Sequence, residues 1–392
     1  MRMSGNPCGD QRSNVVTFGA YDRFNYGDLL FPLVLDAAAS ELGYPSLRHA
    51  SLRQWSGGGV PVESISHVLA AESVAPKALV LGGGEILGAT WGSAAASLLP
   101  IPLDLGLLVT RRVSPSIFNL MGKQILSGAW ESPYIPDVSR LVGSRLVANA
   151  IGASSLRDLG PRERRSVVHG LSRAAYLSVR DGAGKEALAR GGIEAVLAPD
   201  SVAILARLYR PRVVEGAPPR LVVQASRAWL RGHGGALVRG IVDAAHAFES
   251  VVLLPMGLAG GHGDLHGLTR LKRGLERSGL KSVTIERPEN VWHIAEQIAG
   301  ASVFIGTSLH GAITSMAYAT PFVPLCGISK LDAYLETWAD DVGGVAVDPE
   351  SAGEAIQSAL RVATDARESL ARSLEAASWD NTERVLNVAH GG

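Results

Sequence analysis

Residues 302–325, SVFIGTSLHGAITSMAYATPFVPL, decide the reading of the fold. Ser302–Ile305 is a short run of Val, Phe and Ile, the composition of a strand buried on both faces. Gly306, Thr307 and Ser308 then make a turn. His310 stands at the start of a helix that covers Ala312–Ala319, and Phe322–Leu325 is a second apolar strand. Strand, helix and strand in this order spell a parallel βαβ unit.

The alternation continues outward from there. Strands are expected at Val15–Ala20, Ala78–Leu81, Leu105–Val109, Leu146–Ile151, Ala174–Ser178 and Ala195–Ala198, then at Arg220–Gln224, Val251–Leu254 and Ser282–Ile285. Helices fit between them: Leu29–Leu42 capped by Asp28, one from Pro161 through Val168 to Arg173, then Ala187–Arg190, Gly235–Phe248, Leu268–Arg277 and Val291–Ala299. The fold class is therefore α/β, doubly wound on parallel sheets. Three prolines in Tyr209–Pro219, YRPRVVEGAPP, separate two comparable series. We read residues 1–14 as a mobile tail, 15–210 and 211–350 as two Rossmann-like domains facing a cleft, and 351–392 as a helical tail that packs back on the first domain.

Composition narrows the function. With 46% hydrophobic and 19% charged residues in 392, general disorder is excluded. Lys+Arg and Asp+Glu are both 37, which argues against bulk binding to nucleic acid or to an anionic membrane, but leaves room for a local basic pocket. Two cysteines, Cys8 and Cys326, make neither a disulfide framework nor a Cys-based zinc site. The N-terminus lacks the apolar core of a secretory signal, and the uncharged stretch from Glu85 to Asp104 is broken by glycines, Pro100 and Pro102. The expected location is cytoplasmic, which includes a peripheral place on the inner membrane face, with no membrane span.

Polar motifs follow the expected strands. Asn25-Tyr26-Gly27-Asp28 combines a tight turn with a helix start, where N–H groups face polar ligands. Gly82-Gly83-Gly84-Glu85-Ile86-Leu87-Gly88 lets backbone approach a ligand, yet its spacing is not the dinucleotide fingerprint. In Ser178-Val179-Arg180-Asp181 and Ala198-Pro199-Asp200, Arg180 can pair with Asp181 or Asp200 and brace the cleft wall. Arg227, in QASR, offers a planar fork to a carboxylate or phosphate, and Lys330 can reach a phosphate. Thr307, Ser308 and His310 offer hydroxyls and a proton-transfer group at a helix N-terminus. His310 occupies the last glycine of a GxSxG elbow, so serine hydrolysis fits poorly. His262 and His266 are four apart but lack a third ligand. No metal is expected there, and Asp264 reads as a helix cap.

In this order, NYGD, GGGE, SVRD, APD, a post-strand Ser-Arg, and TSLHGA followed by Pro321 and Lys330 resemble the polysaccharide pyruvyl transferase family over roughly residues 15–335. QASR departs from the family's Ser-Leu-Arg type string. The resemblance implies a GT-B-like pair of domains. It implies an enzyme that moves pyruvate from phosphoenolpyruvate to two hydroxyls of a sugar or lipid-linked glycan, as a cyclic ketal and without a cofactor or metal. In that scheme His310 is an acid or phosphate-contacting donor, and Asp28 or Glu85 is the base. Arg227, Lys330, Thr307 and Ser308 hold the donor. Asn25, Gly83, Gly84 and Glu85 face the acceptor, with Arg180 and Asp200 in support. No nucleic-acid partner is expected, and a homo-oligomer is compatible. The alternatives are a GT-B glycosyltransferase using a nucleotide sugar and a non-catalytic carbohydrate-binding protein of the same fold.

Overall fold

The computed structural model describes residues 13–392 except 56–59, 71–74, 100–102, 138–140, 142, 213–215, 260–262, 340–341 and 343. Residues 1–12 of the expected tail, with Cys8 in them, and His262 lie outside the described residues. The first series contains β1 (Val15–Phe18), α1 (Tyr26–Glu41), β2 (Arg48–Ser51), β3 (Glu63–Ser64), α2 (Ile65–Ala70), β4 (Ala78–Gly82) and α3 (Trp91–Leu98). It continues through α4 (Leu103–Val113), α5 (Pro115–Ile125), β5 (Arg145–Ile151), α6 (Pro161–Leu171), β6 (Tyr176–Val179), α7 (Gly182–Ala189), β7 (Val196–Leu197) and α8 (Leu205–Leu208). The second contains β8 (Arg220–Gln224), α9 (Arg227–Ala244), β9 (Ser250–Leu253), α10 (Asp264–Arg277), β10 (Val283–Ile285), α11 (Val291–Ala299), β11 (Val303–Gly306), α12 (Leu309–Ala317) and β12 (Phe322–Pro324). Helices α13 (Ser329–Trp338), α14 (Ala352–Ala359) and α15 (Thr364–His390) close the chain.

The strands form two parallel sheets, seven-stranded in the order β3-β2-β1-β4-β5-β6-β7 and five-stranded in the order β10-β9-β8-β11-β12. Both are Rossmann-like. Val, Ile and Leu cover both faces of the central strands because helices lie on both sides. In β1, Val15 packs with α1 and α15, while Val16 packs with the opposite layer around Trp91 and Leu146. The first of these cores is shared between the two units: Leu29, Val34, Ile294, Ile313, Met316, Leu374 and Val385 belong to one apolar cluster. Helix α15 follows the second unit in sequence but packs on the first. Asn381 Nδ2 donates to Asn149 Oδ1 (2.9 Å), Tyr176 Oη donates to Asn381 Oδ1 (2.8 Å), and Ser378 Oγ donates to the Asp200 carbonyl (3.1 Å).

Four local expectations change. Leu105–Val109 is not a strand but lies within α4. Its apolar run is too short to separate the two periods, and only part of it faces the interior. Asp28 does not cap α1. Asn25 holds the cap position without a side-chain bond, and Asp28 sits in the first turn, as does Gly27. Helix α9 starts at Arg227, capped by Ser226, well before Gly235. Asp264 is the first residue of α10 after Gly263, whose φ of 58° is left-handed.

Candidate active site

Ligands of open α/β sheets bind beyond the strand C-termini where the strand order reverses. Here the order reverses between β1 and β4 in one sheet, and between β8 and β11 in the other. The loops leaving these four strands meet across a polar cavity of about 210 Å³. Asn25 and Asp28 follow β1, Gly84 and Glu85 follow β4, Gln224 ends β8 with Ser226 beyond it, and Thr307, Ser308 and His310 follow β11. Arg180, Asp264 and Lys330 complete the charged lining. The two units touch here through backbone: Tyr26 N–H donates to the Met256 carbonyl at 3.0 Å, and Asn25 bridges to Gly257.

A chain of charged groups runs under the cleft. Glu85 Oε1 accepts from Ser155 N–H (2.8 Å), Ser155 Oγ (2.6 Å) and Ser154 Oγ (3.2 Å). Its Oε2 lies 3.1 Å from Arg180 Nη2. Arg180 is fully buried, and its Nη1 lies 3.1 Å from Asp200 Oδ2. That same oxygen is 3.6 Å from His310 Nε2. Asp181 stands farther off, 3.9 Å from Arg180 Nε, and its carboxylate caps α7 by accepting from Gly184 N–H. Burial alone would raise the pKa of Asp200, but His310, Arg180 and the Val202 N–H outweigh it and hold the carboxyl low. Glu85 is also held low, with Arg180, Ser155 and Lys330 overcoming burial. Asp181 is pushed up, because burial exceeds the pull of Arg180.

Two glycines make this packing possible. A Cβ on Gly152 would stand 2.3 Å from Glu85 Oε2 and 2.7 Å from Arg180 Nη2. The chain reaches Gly152 through a break in register of β5 against β6, where Ala150 adopts a φ of 45° and donates its N–H to Ser178 Oγ (2.8 Å). A Cβ on Gly27 would stand 1.8 Å from His310 Nδ1. The imidazole thus lies against the first turn of α1, with Phe31 edge-on at 5.3 Å. Gly27 serves close approach, not a turn.

The wall from the second sheet is tied by Gln224. Its Oε1 accepts from Thr307 N–H and Oγ1 (3.2 and 3.3 Å), while its Nε2 donates to Asp264 Oδ2 (3.4 Å). Asp264 Oδ2 also accepts from Met256 and Gly257 N–H (3.2 and 2.9 Å). Asp264 therefore fixes the loop after β9 and is not the helix cap expected of it. Ser308 caps α12 by accepting from Gly311 N–H at 3.1 Å. The first N–H groups of α12 are thereby aimed at the cleft. Lys330 lies in the first turn of α13. Surrounding protein and then Arg180 pull its pKa down, against Asp28 and Glu85. Its side chain is solvent-exposed, so water screens part of this depression.

Asn25, Asp28, Gly84, Glu85, Arg180, Thr307, Ser308, His310 and Lys330 line this cavity, with Asp200 directly behind. Two expected residues do not. Gly83 backs onto Phe31, whose ring leaves no room for a Cβ. Arg227 lines a separate cavity of about 270 Å³ between α9 and α10, with Arg231, His266 and Arg270. As the residue after the Ser226 cap, it packs its side chain against Gly263. Ser154, Ser155, Gly152 and Gln224 were not expected. Nothing in the sequence marks them except that Gln224 ends a strand. A more apolar cavity of about 350 Å³, bounded by residues such as Met316, Phe322 and Val347, has no comparable charge network. The polar cleft is the candidate site. Among the described residues no three His, Cys, Asp or Glu gather to hold a metal ion, and no helix is long and apolar enough to cross a membrane.

A family model described as polysaccharide pyruvyl transferase matches residues 25–325. No curated protein sequence matches the chain significantly. Among solved structures, the chain is similar to the UDP-GlcNAc 2-epimerase from Methanocaldococcus jannaschii, with a TM-score of 0.56 and 11% identity over 97% of this chain and 100% of that one. It is also similar to the UDP-GlcNAc 2-epimerase from Neisseria meningitidis bound to UDP-GlcNAc, with a TM-score of 0.50 and 9% identity over 97% of this chain and 100% of that one. At such identities the likeness is one of fold, the two-domain GT-B arrangement.

Proposed function

The chain belongs to the polysaccharide pyruvyl transferase family, and from that premise we propose that it transfers pyruvate from phosphoenolpyruvate to two hydroxyls of a glycan as a ketal. The observation that carries the reading is His310, seated at the N-terminus of α12 with Asp200 on its Nε2 side, in one cleft with Lys330, Asp28 and Glu85. Phosphoenolpyruvate brings a phosphate and a carboxylate. The first N–H groups of α12 that Ser308 leaves uncapped, the Ser308 hydroxyl and the Lys330 ammonium are the donors suited to them, with Thr307 holding the turn in place through Gln224.

His310 protonates the methylene carbon, which becomes a methyl group, and C2 takes on oxocarbenium character. The first sugar oxygen bonds to C2 and gives its proton to a base, Asp28 or Glu85. Of these Asp28 is the better candidate, because Glu85 already accepts from Ser155 and Arg180. The C2–O bond to phosphate then breaks, the second oxygen bonds to C2, and its proton leaves with the phosphate. Asp200 acts through His310: its carboxylate stands 3.6 Å from Nε2 and orients the ring.

The test is phosphate release from phosphoenolpyruvate against a panel of glycans with vicinal or 4,6-related hydroxyls. Glycan-dependent release, with a ketal in the product by mass spectrometry, is expected. No release, together with hydrolysis or transfer from a UDP-sugar, would replace this reading with the glycosyltransferase one. Saturable glycan binding without turnover of either donor would leave a carbohydrate-binding protein.

A further inference from the structure

We propose that the α4–α5 hairpin is a docking surface for an anionic lipid bilayer. Leu103, Val109 and Val113 of α4 and Ile117, Leu120 and Ile125 of α5 are 46–80% exposed. Met121 of α5 is 37% exposed as well, while Val196, Val345 and Leu360 fall singly in other parts of the chain. Scattered exposed leucines need no explanation, but a cluster on one hairpin does. The opposite side of the hairpin is already satisfied. Leu107 and Phe118 pack with Ala95 and Ala96 of α3. Gly122 lies so close to α3 that a Cβ would stand 2.3 Å from the Trp91 carbonyl oxygen.

Charge chooses the occupant. Exposed Arg111 and Arg112 end α4, and Lys123 near the end of α5 is partly countered by Glu131 at 3.6 Å. The sole carboxylate on either helix, Asp104, is 2% exposed. The outer face is thus apolar and cationic, with no exposed acid. Val113, 80% exposed, stands beside the Ser114–Pro115 turn where the two helices join. Exposed apolar side chains flanked by arginines suit the boundary between acyl chains and anionic headgroups. Helix α3 leaves directly from the Gly82–Gly88 loop, whose Gly84 and Glu85 line the cleft. A bilayer under the hairpin therefore lies beside the acceptor side of the site. That last link rests on the proposed function, while the binding itself does not.

The experiment is co-sedimentation of the full chain with phosphatidylcholine vesicles, with or without about one third phosphatidylglycerol, at low and high salt. The chain is expected to sediment with the anionic vesicles, less so in high salt and less with phosphatidylcholine alone. Val113→Glu with Leu120→Glu should weaken partition roughly tenfold or more with an unchanged circular dichroism spectrum. Arg111→Glu with Arg112→Glu should remove the preference for anionic lipid. A wild-type chain that stays in the supernatant with both vesicles, or binding that the Val113→Glu, Leu120→Glu variant retains, overturns the proposal. So does self-association by analytical ultracentrifugation that this variant abolishes without any vesicle binding, which would make the surface a contact between copies. No turnover is measured, so this result and the fate of the pyruvyl transfer reading are independent.

Discussion

The imidazole of His310 fills the space that a side chain at position 27 would need: a Cβ on Gly27 would stand 1.8 Å from Nδ1. Gly27 belongs to the first unit and His310 to the second. The ring is therefore held between them, with Asp200 at its other nitrogen.

Gly27→Ala should displace the ring and lower turnover by about 10²-fold or more, approaching the 10²–10⁴-fold loss expected for His310→Ala. The double variant should lose little beyond His310→Ala, because both changes remove one arrangement. Steady-state kinetics with varied phosphoenolpyruvate, beside circular dichroism, checks both. Full activity in folded Gly27→Ala would show that the ring position is immaterial.

Asp200→Ala should both inactivate and destabilise. It leaves the buried Arg180 with Glu85 at 3.1 Å and the more distant Asp181 at 3.9 Å, and breaking one side of a buried pair costs about 3–5 kcal/mol. Urea unfolding measures this. Arg180→Lys should be destabilising too, since one ammonium cannot span Glu85 and Asp200 as the guanidinium does.

Acid should unfold the protein through the same chain. Asp200 and Glu85 have folded pKa values below their unfolded ones. Their contribution is complete above the unfolded carboxylate range, about pH 4, and is lost as pH falls through the lowered folded values. Asp181, raised by burial, has the opposite sign and offsets part of this where its own raised pKa is crossed. Urea midpoints should fall on acidification below about pH 4, and Glu85→Gln should flatten that slope. An equal slope in the variant would remove Glu85 from the account.

Lys330→Ala should raise KM for phosphoenolpyruvate as well as lower kcat, because the donor is charged in ground and transition states alike. Arg227→Ala should leave both near wild type, since Arg227 lines the cavity between α9 and α10. A KM effect confined to Arg227→Ala would move the anion site there.

Much of this was legible because central parallel strands carry unbroken apolar runs and polar residues cluster where those runs stop. His310, Glu85, Arg180 and Asp200 all follow strands in that way. Strand β2, RHAS, was not, because its polarity is satisfied sideways: Arg48 forks onto Glu63 at 2.9 Å, and His49 Nδ1 meets Thr17 Oγ1 at 2.8 Å. The Leu105–Val109 part of α4 reads as a strand for the opposite reason, since the helix carries more apolar residues than the interior takes. The site's glycines misled differently. Gly27 and Gly152 accommodate side chains from elsewhere in the chain, a need visible only in three dimensions.

The return of α15 to the first unit means that the backbone passes between the units twice, near residues 209–219 and again near 360–363. Two tethers act as two pins. Two covalent crossings constrain relative movement of the units more than one would. Ser378 on α15 is bonded to the Asp200 carbonyl, and Asp200 faces His310. The wall behind His310 thus includes a bond to the returning helix, so a change that loosens α15 reaches the Asp200–His310 pair without touching the cleft.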